Sequence, residues 1–444
     1  MMYLIVKLKQ LLILAGDLAV FYLALFLMLV MRYRVLTPDI VRDHVFPFTI
    51  VLLFWEVIFY IGGLYNLHEL KNTIATAKRG LITLLFGTLL AALFFYFLPF
   101  FSIAPKRSLL LFMIFFGLLF TLWRTVANRF LLRKIGVRRA MLLDTSPLAK
   151  EIQDYLSKNL QLGYTLIESP MKKEITTAQA PTELLAREKP DVFVLSSQLR
   201  RDTIASRIMY AMVLGGRDVI DLATFYETIF GKVPLTEINE LWFLEHLKRG
   251  YSMYARIIRP AEFILALLLF IALLSVMIII ALLVRLTSRG PILYRQTRVG
   301  QNGKPFTLYK FRTMRRDAEA SGPQWATFPD ARATRIGRVL RYSHLDEFPQ
   351  LWNILRGQLA FVGPRPERPE FAEKLKKEIP YYSIRTIIKP GLTGWAQINY
   401  RYGEGTEDVR EKLAYDIFYL KNRSFVLDCL IILRTIRRIF ARAA

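Results

Sequence analysis

The chain has 444 residues, too many for one compact core, so two or three domains are expected. Hydrophobic residues make up 54% of it and the mean hydropathy is +0.31, values natural for a protein that lies partly in lipid. The formal net charge of +25 favours contact with anionic lipids and phosphates over nucleic-acid binding, because the basic residues accompany long apolar segments. Cys429 is the only cysteine, which excludes a disulfide framework and a thiolate zinc site, and the four histidines are too scattered to bind a metal.

Four apolar segments open the chain, and each has close to the ~20 residues that a helix needs to cross a bilayer. Buried core helices are the alternative, but four in succession with short polar links favour a four-helix transmembrane region over residues 1–135. The first segment is not typical of a cleaved signal peptide, since no small-residue cleavage site follows it. The four segments are residues 11–31, 46–64, 81–101 and 109–132.

Basic residues predict the orientation of these segments, because lysine and arginine are enriched on the cytoplasmic side of membrane proteins. Five follow the fourth segment, so this end is expected in the cytoplasm, together with the N-terminus and the second link. Three arginines in the first link fall on the outside in this arrangement and count mildly against it. The five are Arg129, Arg133, Lys134, Arg138 and Arg139, and the three are Arg32, Arg34 and Arg42.

Residues 136–250 alternate short apolar runs with helical patterns such as residues 147–160, which predicts a Rossmann-like domain with a parallel sheet. The first strand is followed by Asp144, Thr145 and Ser146, without the glycines that let a backbone approach a pyrophosphate. A structural or dimerising module is therefore favoured over a dinucleotide-binding one. The predicted strands are residues 140–144, 164–167, 191–195 and 218–222.

Residues 251–289 contain an uncharged apolar run, 263–284, that is long enough to span a bilayer. Basic residues flank it on both sides, which favours a re-entrant helix with both ends in the cytoplasm. A returning helix must break, and this run holds no proline or glycine. We therefore expect the break at Ser275, whose hydroxyl can bond back to a carbonyl one turn earlier. The flanking residues are Lys248, Arg249, Arg256 and Arg259 before the run and Arg285, Arg289, Arg295 and Arg298 after it.

Residues 290–424 are polar and basic, and arginines recur every third residue as a cationic stripe predicted on one helix face. The stripe leads into two adjacent carboxylates, Asp346 and Glu347.

Pro349 suits the start of a helix over residues 350–355, which places these two carboxylates near a helix N-terminus. An ionised carboxylate beside cations can be a nucleophile, and its neighbour can hold a hard divalent metal ion. A solvated surface is the alternative for both features. The stripe is Arg332, Arg335, Arg338 and Arg341.

The last segment, residues 425–444, begins with the apolar run FVLDCLIIL and continues with four arginines. This pattern predicts a basic helix that lies on the membrane surface. The predicted fold is therefore four transmembrane helices, a Rossmann-like domain, a re-entrant helix, a mainly α catalytic domain and a surface helix.

Five motifs in the second half resemble those of the bacterial sugar transferase family, the monotopic polyprenyl-phosphate phosphoglycosyl transferases. The resemblance covers about residue 256 to the C-terminus. The first half is similar to the large members of that family, which have four membrane helices and a degenerate nucleotide-binding-like domain. The motifs are RVG at 298–300, KFRTM at 310–314, LDEFPQ at 345–350, VGPRP at 362–366 and KPGLTGWAQ at 389–397.

The resemblance implies a reaction in which Asp346 attacks a UDP-sugar, giving an aspartyl-phosphosugar and UMP, while Glu347 holds Mg²⁺ on the diphosphate. Undecaprenyl phosphate then takes the sugar phosphate, as the first membrane step of exopolysaccharide or O-antigen (lipopolysaccharide) synthesis. It also implies a homodimer in the bacterial inner membrane whose catalytic domain faces the cytoplasm. The substrate-binding residues that it implies are Arg341 and Arg365 at the phosphate, with Lys310, Arg312 and Gln397 in the neighbouring motifs.

Two positions depart from the family pattern. Ser275 is followed by Val276 where the family has proline, and Glu262 stands where the re-entrant helix begins with aspartate. These departures concern the membrane helix rather than the reaction. Two other functions remain open from the residues: a polytopic-type transferase without a covalent intermediate, and a non-catalytic membrane scaffold or sensor. A polytopic-type transferase should place its acidic residues on loops between many spans, whereas here they lie in one soluble block, and a scaffold would be indifferent to the identity of Asp346.

Overall fold

The computed structural model describes residues 2–65, 73–97, 105–131, 137–142, 144, 146–167, 190–195, 210, 212–247, 251–315, 318, 330–400 and 405–443. Predictions that rest on residues 132–136, 145 and 248–250 lie outside these ranges. The chain forms two compact units, Met1–Ile229 and Phe230–Ala444.

The first unit begins with four helices that are long and apolar enough to cross a membrane, as predicted. Their shared core is aromatic: the ring centroids of Phe21 and Phe112 are 4.9 Å apart, and those of Trp55 and Phe116 are 5.1 Å apart. These side chains are almost completely buried, so the helices hold one another by ring packing. The helices are α1 Met2–Tyr33, α2 Pro38–Ile61, α3 Ile74–Phe97 and α4 Pro105–Val126, which ends in a π-helical turn, Ala127–Leu131.

A buried ion pair also joins helices within this bundle. The Arg124 guanidinium donates from Nε to Asp17 Oδ1 at 3.1 Å, and the Tyr65 hydroxyl donates to Asp17 Oδ2 at 2.8 Å. Arg124 also donates to the Leu64 carbonyl, in the turn that follows α2. At the start of α1, the buried Lys9 donates to the Gln161 carbonyl of the α/β domain at 3.2 Å. Charged residues inside an apolar segment therefore tie α1, α4 and the α/β domain together.

The α/β domain of the first unit has a four-stranded sheet in the order β2-β1-β3-β4, and all neighbouring strands are parallel, as predicted. Helix α5, Pro147–Lys158, is capped by Ser146, whose side chain accepts a hydrogen bond from the Ala149 N–H. A 3₁₀ turn, Leu160–Leu162, follows it. The strands are β1 Arg138–Leu142, β2 Tyr164–Ile167, β3 Val192–Leu195 and β4 Asp218–Asp221, and helix α6 spans Leu222–Phe230.

The second unit includes the short helix α7, Glu240–His246, which packs through Trp242 and Phe243 against Tyr382 and Leu413. The sequence places this stretch in the α/β domain, but its apolar side chains are buried in the second unit instead.

The apolar run after α7 is a broken helix pair: α8, Tyr251–Ala272, and α9, Leu274–Thr287, are bent by 58°. The break lies at Leu273, so the predicted position at Ser275 is wrong by two residues, and Ser275 lies in the first turn of α9. Packing explains the position, because the two halves contact different apolar clusters of the same unit. Ala266, Phe270 and Leu273 join Leu351 and Ile354, whereas Ile280 and Val284 join Phe311 and Leu340.

The rest of the second unit is mainly helical, with two small two-stranded sheets, one antiparallel and one parallel. The arginine stripe is shorter than predicted, because Thr334 caps the helix by accepting from the Gly337 N–H at 2.9 Å and Arg332 precedes that cap. The elements are β5 Leu293–Val299, β6 Pro305–Phe311, α10 Arg335–Ser343, α11 Gln350–Leu355, β7 Ala360–Val362, α12 Pro369–Glu378, β8 Gly391–Thr393, α13 Trp395–Asn399, α14 Thr406–Asn422 and α15 Phe425–Ala443.

Candidate active site

The two predicted carboxylates lie on a 3₁₀ turn, Leu345–Glu347, between α10 and α11. His344 ends α10 and begins this turn with a φ of 58°, in the left-handed region that histidine tolerates better than most side chains. The backbone reverses there, and Pro349 then leads into α11 as the sequence predicts. Asp346 and Glu347 are thereby placed just before a helix that the core holds through Leu351 and Ile354.

Glu347 is the anchored member of the pair. Its Oε1 accepts from Lys310 Nζ at 2.6 Å and from Arg365 Nη2 at 2.9 Å, and 14% of its side chain is exposed. Burial by itself would raise the pKa of this carboxyl, but the two cations hold the pKa well below its usual range. Glu347 is therefore ionised at neutral pH.

Asp346 is the unanchored member. Its residue is only 7% exposed, and among the described residues its carboxylate makes no hydrogen bond or ion pair. Burial raises the pKa of Asp346 to about 6, and the neighbouring Glu347 adds to this, while Lys310, Arg365 and Arg341 oppose it. Of the two carboxyls Asp346 is therefore the one whose pKa lies nearer to neutral pH, close to cations but without a donor on its oxygens. That is the state expected of an oxygen nucleophile.

Lys310 reaches the pair because Asn353 fixes strand β6 against α11. The Asn353 side chain is completely buried; its amide nitrogen donates to the Thr307 carbonyl at 2.7 Å, and its oxygen accepts from the Tyr309 N–H at 3.2 Å. Tyr309 directly precedes Lys310, so one buried amide sets the position of the cation relative to the helix that follows Glu347.

Arg365 reaches the pair through the close approach of two glycine-containing segments. A Cβ on Gly363 would lie 2.5 Å from the Lys389 carbonyl oxygen, and one on Gly394 would lie 2.3 Å from the Gly363 carbonyl oxygen. A Cβ on Gly391 would lie 2.1 Å from the Gly363 nitrogen. The glycines of the VGPRP and KPGLTGWAQ motifs are therefore required by backbone contact between strands β7 and β8.

Two further arginines hold the chain that carries Arg365. Arg298 donates to the Pro366 carbonyl at 3.0 Å, and Arg385 donates from Nη2 to the Arg365 carbonyl, also at 3.0 Å. Arg385 is buried and forms an ion pair with Asp416 at 2.9 Å. The sequence indicated Arg298 through its motif but missed Arg385, because an arginine a few residues before the KPG motif has no pattern of its own.

Arg341 is the last arginine of the stripe, and it lies close enough to Asp346 to lower the pKa of that carboxyl. Its Nη1 lies 3.2 Å from Asp330 Oδ2, and Arg332 Nε lies 2.9 Å from Asp330 Oδ1. Hydrogen bonds from Arg332 lower the pKa of Asp330 to about 2, despite burial. Helix α10 is held against the KFRTM motif at Gly337, where a Cβ would be 1.9 Å from the Thr313 carbonyl oxygen. Asp330 is a second residue that the sequence missed.

Two predicted site residues contact other parts of the unit. Arg312 is buried and donates to the Ser288 carbonyl and hydroxyl at 2.7 Å each, at the end of the broken helix pair. The Gln397 side chain donates to the Leu392 carbonyl, and its backbone carbonyl accepts from Arg438 of α15. Their assignment to substrate stays a prediction, because these contacts do not lead to Asp346 or Glu347.

Glu347 is a carboxylate of this site that could hold the predicted Mg²⁺. In the described part of the chain no three His, Cys, Asp or Glu side chains form a metal-binding group. Magnesium nevertheless needs few protein ligands where substrate phosphates complete its shell. Lys310 and Arg365 both bind Glu347 Oε1, and no described residue donates to Oε2, so an ionised oxygen is left to coordinate a cation.

A buried, unbonded carboxylate beside an anchored one, facing three cations and adjoining a broken apolar helix pair, is the arrangement of a membrane-associated group-transfer enzyme. Residues 253–442 match the family model described as bacterial sugar transferase. Together with the similarity to the proteins below, this shows that the chain belongs to the bacterial sugar transferase family.

Three curated relatives illustrate the similarity. The UDP-glucose:undecaprenyl-phosphate glucose-1-phosphate transferase of Xanthomonas campestris pv. campestris is 30% identical over 72% of this chain and 70% of its own length. The UDP-N-acetylgalactosamine-undecaprenyl-phosphate N-acetylgalactosaminephosphotransferase of Aeromonas hydrophila is 37% identical over 57% of this chain. The UDP-glucose:undecaprenyl-phosphate glucose-1-phosphate transferase of Escherichia coli is 38% identical over 64% of this chain. The matches span 61% of the Aeromonas protein and 55% of the Escherichia protein.

Proposed function

We propose that this protein transfers a sugar 1-phosphate from a UDP-sugar to undecaprenyl phosphate through a covalent intermediate on Asp346. The observation that carries the proposal is the state of Asp346, a buried carboxylate without a hydrogen-bond donor and close to cations. The names of the three relatives support the substrates, since each specifies a UDP-sugar or a sugar phosphate and undecaprenyl phosphate.

In the first half-reaction, an oxygen of the Asp346 carboxylate attacks the sugar-bearing phosphorus of the UDP-sugar. The bond from that phosphorus to the bridging oxygen breaks, and UMP leaves with the electron pair. Lys310, Arg341 and Arg365 neutralise the charge on the phosphates, which lowers the barrier because the site is largely buried. Glu347 would hold Mg²⁺, which would supply further neutralisation of the diphosphate.

In the second half-reaction, a phosphate oxygen of undecaprenyl phosphate attacks the same phosphorus. The bond from phosphorus to Asp346 breaks, the carboxylate is restored and the product is undecaprenyl-diphosphate-sugar. A covalent intermediate suits this pair of substrates because a soluble nucleotide and a membrane lipid then bind one after the other. This product would begin the synthesis of exopolysaccharide or O-antigen.

The broken helix pair supports a site at the cytoplasmic membrane surface. The start of α8 is tied to the catalytic unit by Arg259, which donates to the Ile354 carbonyl at 2.6 Å, and the end of α9 is tied to it through Ser288 and Arg312. Both ends of the pair thus return to one globular unit, as expected of a helix that enters the membrane and turns back. The basic residues near both ends favour the cytoplasmic face.

The test is UMP release by the purified full-length protein with Mg²⁺ and no lipid acceptor, using UDP-glucose and UDP-N-acetylgalactosamine in turn. We expect a burst of about one UMP per active site with one of them, and labelled sugar phosphate retained on the protein. Asp346→Asn should abolish both signals, whereas Glu373→Gln, an exposed carboxylate of α12, should change neither.

Asp346→Asn also offers a control for folding, because burial already disfavours the charge that it removes. The variant should unfold at a temperature no lower than the wild type. Full turnover by this folded variant in the presence of undecaprenyl phosphate would exclude Asp346 as the nucleophile and favour direct transfer. A wild-type protein without turnover on any UDP-sugar would favour the scaffold or sensor function.

A further inference from the structure

A cavity of the catalytic unit, whose lining does not include the two carboxylates, has a volume of about 300 Å³. One wall is the first half of α8, through Ala255, Ile258 and Glu262. Asn302 of the turn between β5 and β6, Lys389 of the KPG motif and Arg423 after α14 complete it. Nothing in the proposed reaction uses this cavity.

Two cations in the cavity wall have no acidic partner in the described part of the chain. Lys389 is partly buried and forms no hydrogen bond or ion pair there, and the Arg423 Nε is buried without an acceptor. The Arg423 guanidinium lies over the Tyr254 ring, with its carbon 4.7 Å from the centroid. Burial and the nearby Arg259 and Arg423 lower the pKa of Lys389, and Glu262 opposes this only in part, as expected for an ammonium group without an ion-pair partner.

The charges around the cavity do not balance. Arg259, Lys389 and Arg423 are three cations, and Glu262 and Asp428 are the carboxylates that face them electrostatically. Asp428 is already held by hydroxyls, from Tyr254 at 2.7 Å and Tyr419 at 2.6 Å. Glu262 accepts from the Phe361 N–H at 3.2 Å and has no cation within ion-pair distance among the described residues.

One positive charge therefore remains in excess in a partly buried space. Leaving a buried cation unpaired is costly, and an anion that bridges Lys389 and Arg423 would remove that cost. A guanidinium and an ammonium that line the same cavity are the usual donors for phosphate oxygens.

We propose that this cavity binds a phosphate group, which Lys389 and Arg423 hold between them. The adjoining surface favours a lipid phosphodiester as its source, because the turns of α8 beyond Glu262 expose large apolar side chains. Leu265 is 43% exposed and Leu269 36%, and both share a face of α8 with Glu262, so acyl chains can lie along that face while the phosphate enters the cavity. The site is separate from Asp346 and does not depend on the proposed reaction.

The test measures acylation of Lys389 by an amine-reactive ester, with mass-spectrometric readout, on the full-length protein in nanodiscs. The discs contain phosphatidylcholine alone, phosphatidylcholine with added inorganic phosphate, or phosphatidylcholine with phosphatidylglycerol. We expect phosphatidylglycerol to slow the modification of Lys389 roughly tenfold, as expected for a charge-assisted contact. Lys304, an exposed lysine of the turn between β5 and β6, is the internal control and should react at the same rate in all discs.

Arg423→Gln should remove the protection of Lys389, and Arg423→Lys should retain most of it, which separates loss of the site from loss of the fold. Protection by phosphatidylglycerol alone supports the lipid as the source, and protection by inorganic phosphate supports a free phosphate group. Equal reactivity of Lys389 in all three discs would overturn the proposal, as would full protection in the Arg423→Gln protein. UMP release is measured on the same preparations, so that a failure of the proposed transfer reaction is distinguished from a failure of the phosphate site.

Discussion

Asp346 and Glu347 are neighbours in the chain, yet their surroundings give them opposite properties. Glu347 accepts from two cations and its pKa is lowered, whereas Asp346 makes no hydrogen bond among the described residues and its pKa is raised. Environments that separate the pKa values of two carboxyls are typical of sites where the two have different roles. Here the anchored group suits a structural and metal-binding role, and the unbonded group suits attack on phosphorus.

The raised pKa of Asp346 predicts the pH dependence of the first half-reaction. The nucleophile is the carboxylate, which is present above its pKa, so the rate of UMP release should fall as the pH drops through about 6. Glu347 stays ionised through this range, so it should add no second transition to the plot of rate against pH. The measurement is the single-turnover rate of UMP release between about pH 5 and pH 8. An unchanged rate at the acid end, with the protein still folded, would contradict it.

At the scale of elements, the site is built from segments that are each short and held by others. Strands β7 and β8 have three residues each, and they place Arg365 only because Gly363, Gly391 and Gly394 let the two backbones touch. The buried Arg385 then fixes the Arg365 carbonyl from the opposite side, through its ion pair with Asp416 on α14.

Arg385 is therefore predicted to be a positioning residue. Arg385→Lys keeps a positive charge beside Asp416 but cannot bind the Arg365 carbonyl, Asp416 and Tyr382 together. We expect kcat to fall about 10- to 100-fold with little change in the KM for UDP-sugar, since a misplaced Arg365 weakens stabilisation of the transition state. Steady-state kinetics below the unfolding temperature measures this.

The control for that prediction is Arg410→Lys, at an exposed arginine of α14, which should leave both constants unchanged. If Arg385→Lys lowered only the unfolding temperature and kept the wild-type kcat, Arg385 would be a purely structural residue.

At the scale of the whole molecule, the chain combines a four-helix membrane region with a broken helix pair that returns to its own catalytic unit. This arrangement predicts that the two ends of the pair are on one side of the membrane. Met253→Cys and Arg289→Cys, each in a Cys429→Ser background, introduce single cysteines at exposed positions near those ends. A membrane-impermeant maleimide should label both only from the cytoplasmic side.

Val35→Cys, in the exposed link between α1 and α2, is the matched control, because the charge pattern places that link on the other side. Labelling of residues 253 and 289 from opposite sides would mean that α8 and α9 together cross the membrane.

The sequence by itself determined the features that depend on local patterns. The four apolar helices, the parallel sheet and the helix after Pro349 were all predicted, because periodicity, apolar length and the fixed φ of proline act over a few residues. The motifs also indicated Asp346 and Glu347 as the chemically active pair. Arg341 and Arg365 were indicated as nearby cations in the same way.

Only the tertiary structure decided which of these residues meet and where the membrane helix breaks. Lys310 and Arg365 are 37 and 18 positions from Glu347, so nothing in the local sequence shows that both bind the same oxygen. The break lies at Leu273 rather than Ser275, because each half of the pair packs on its own apolar cluster. Arg385 and Asp330 had no local pattern to reveal them. The chemistry of this site therefore follows from long-range contacts, which set the burial and charge around each carboxylate.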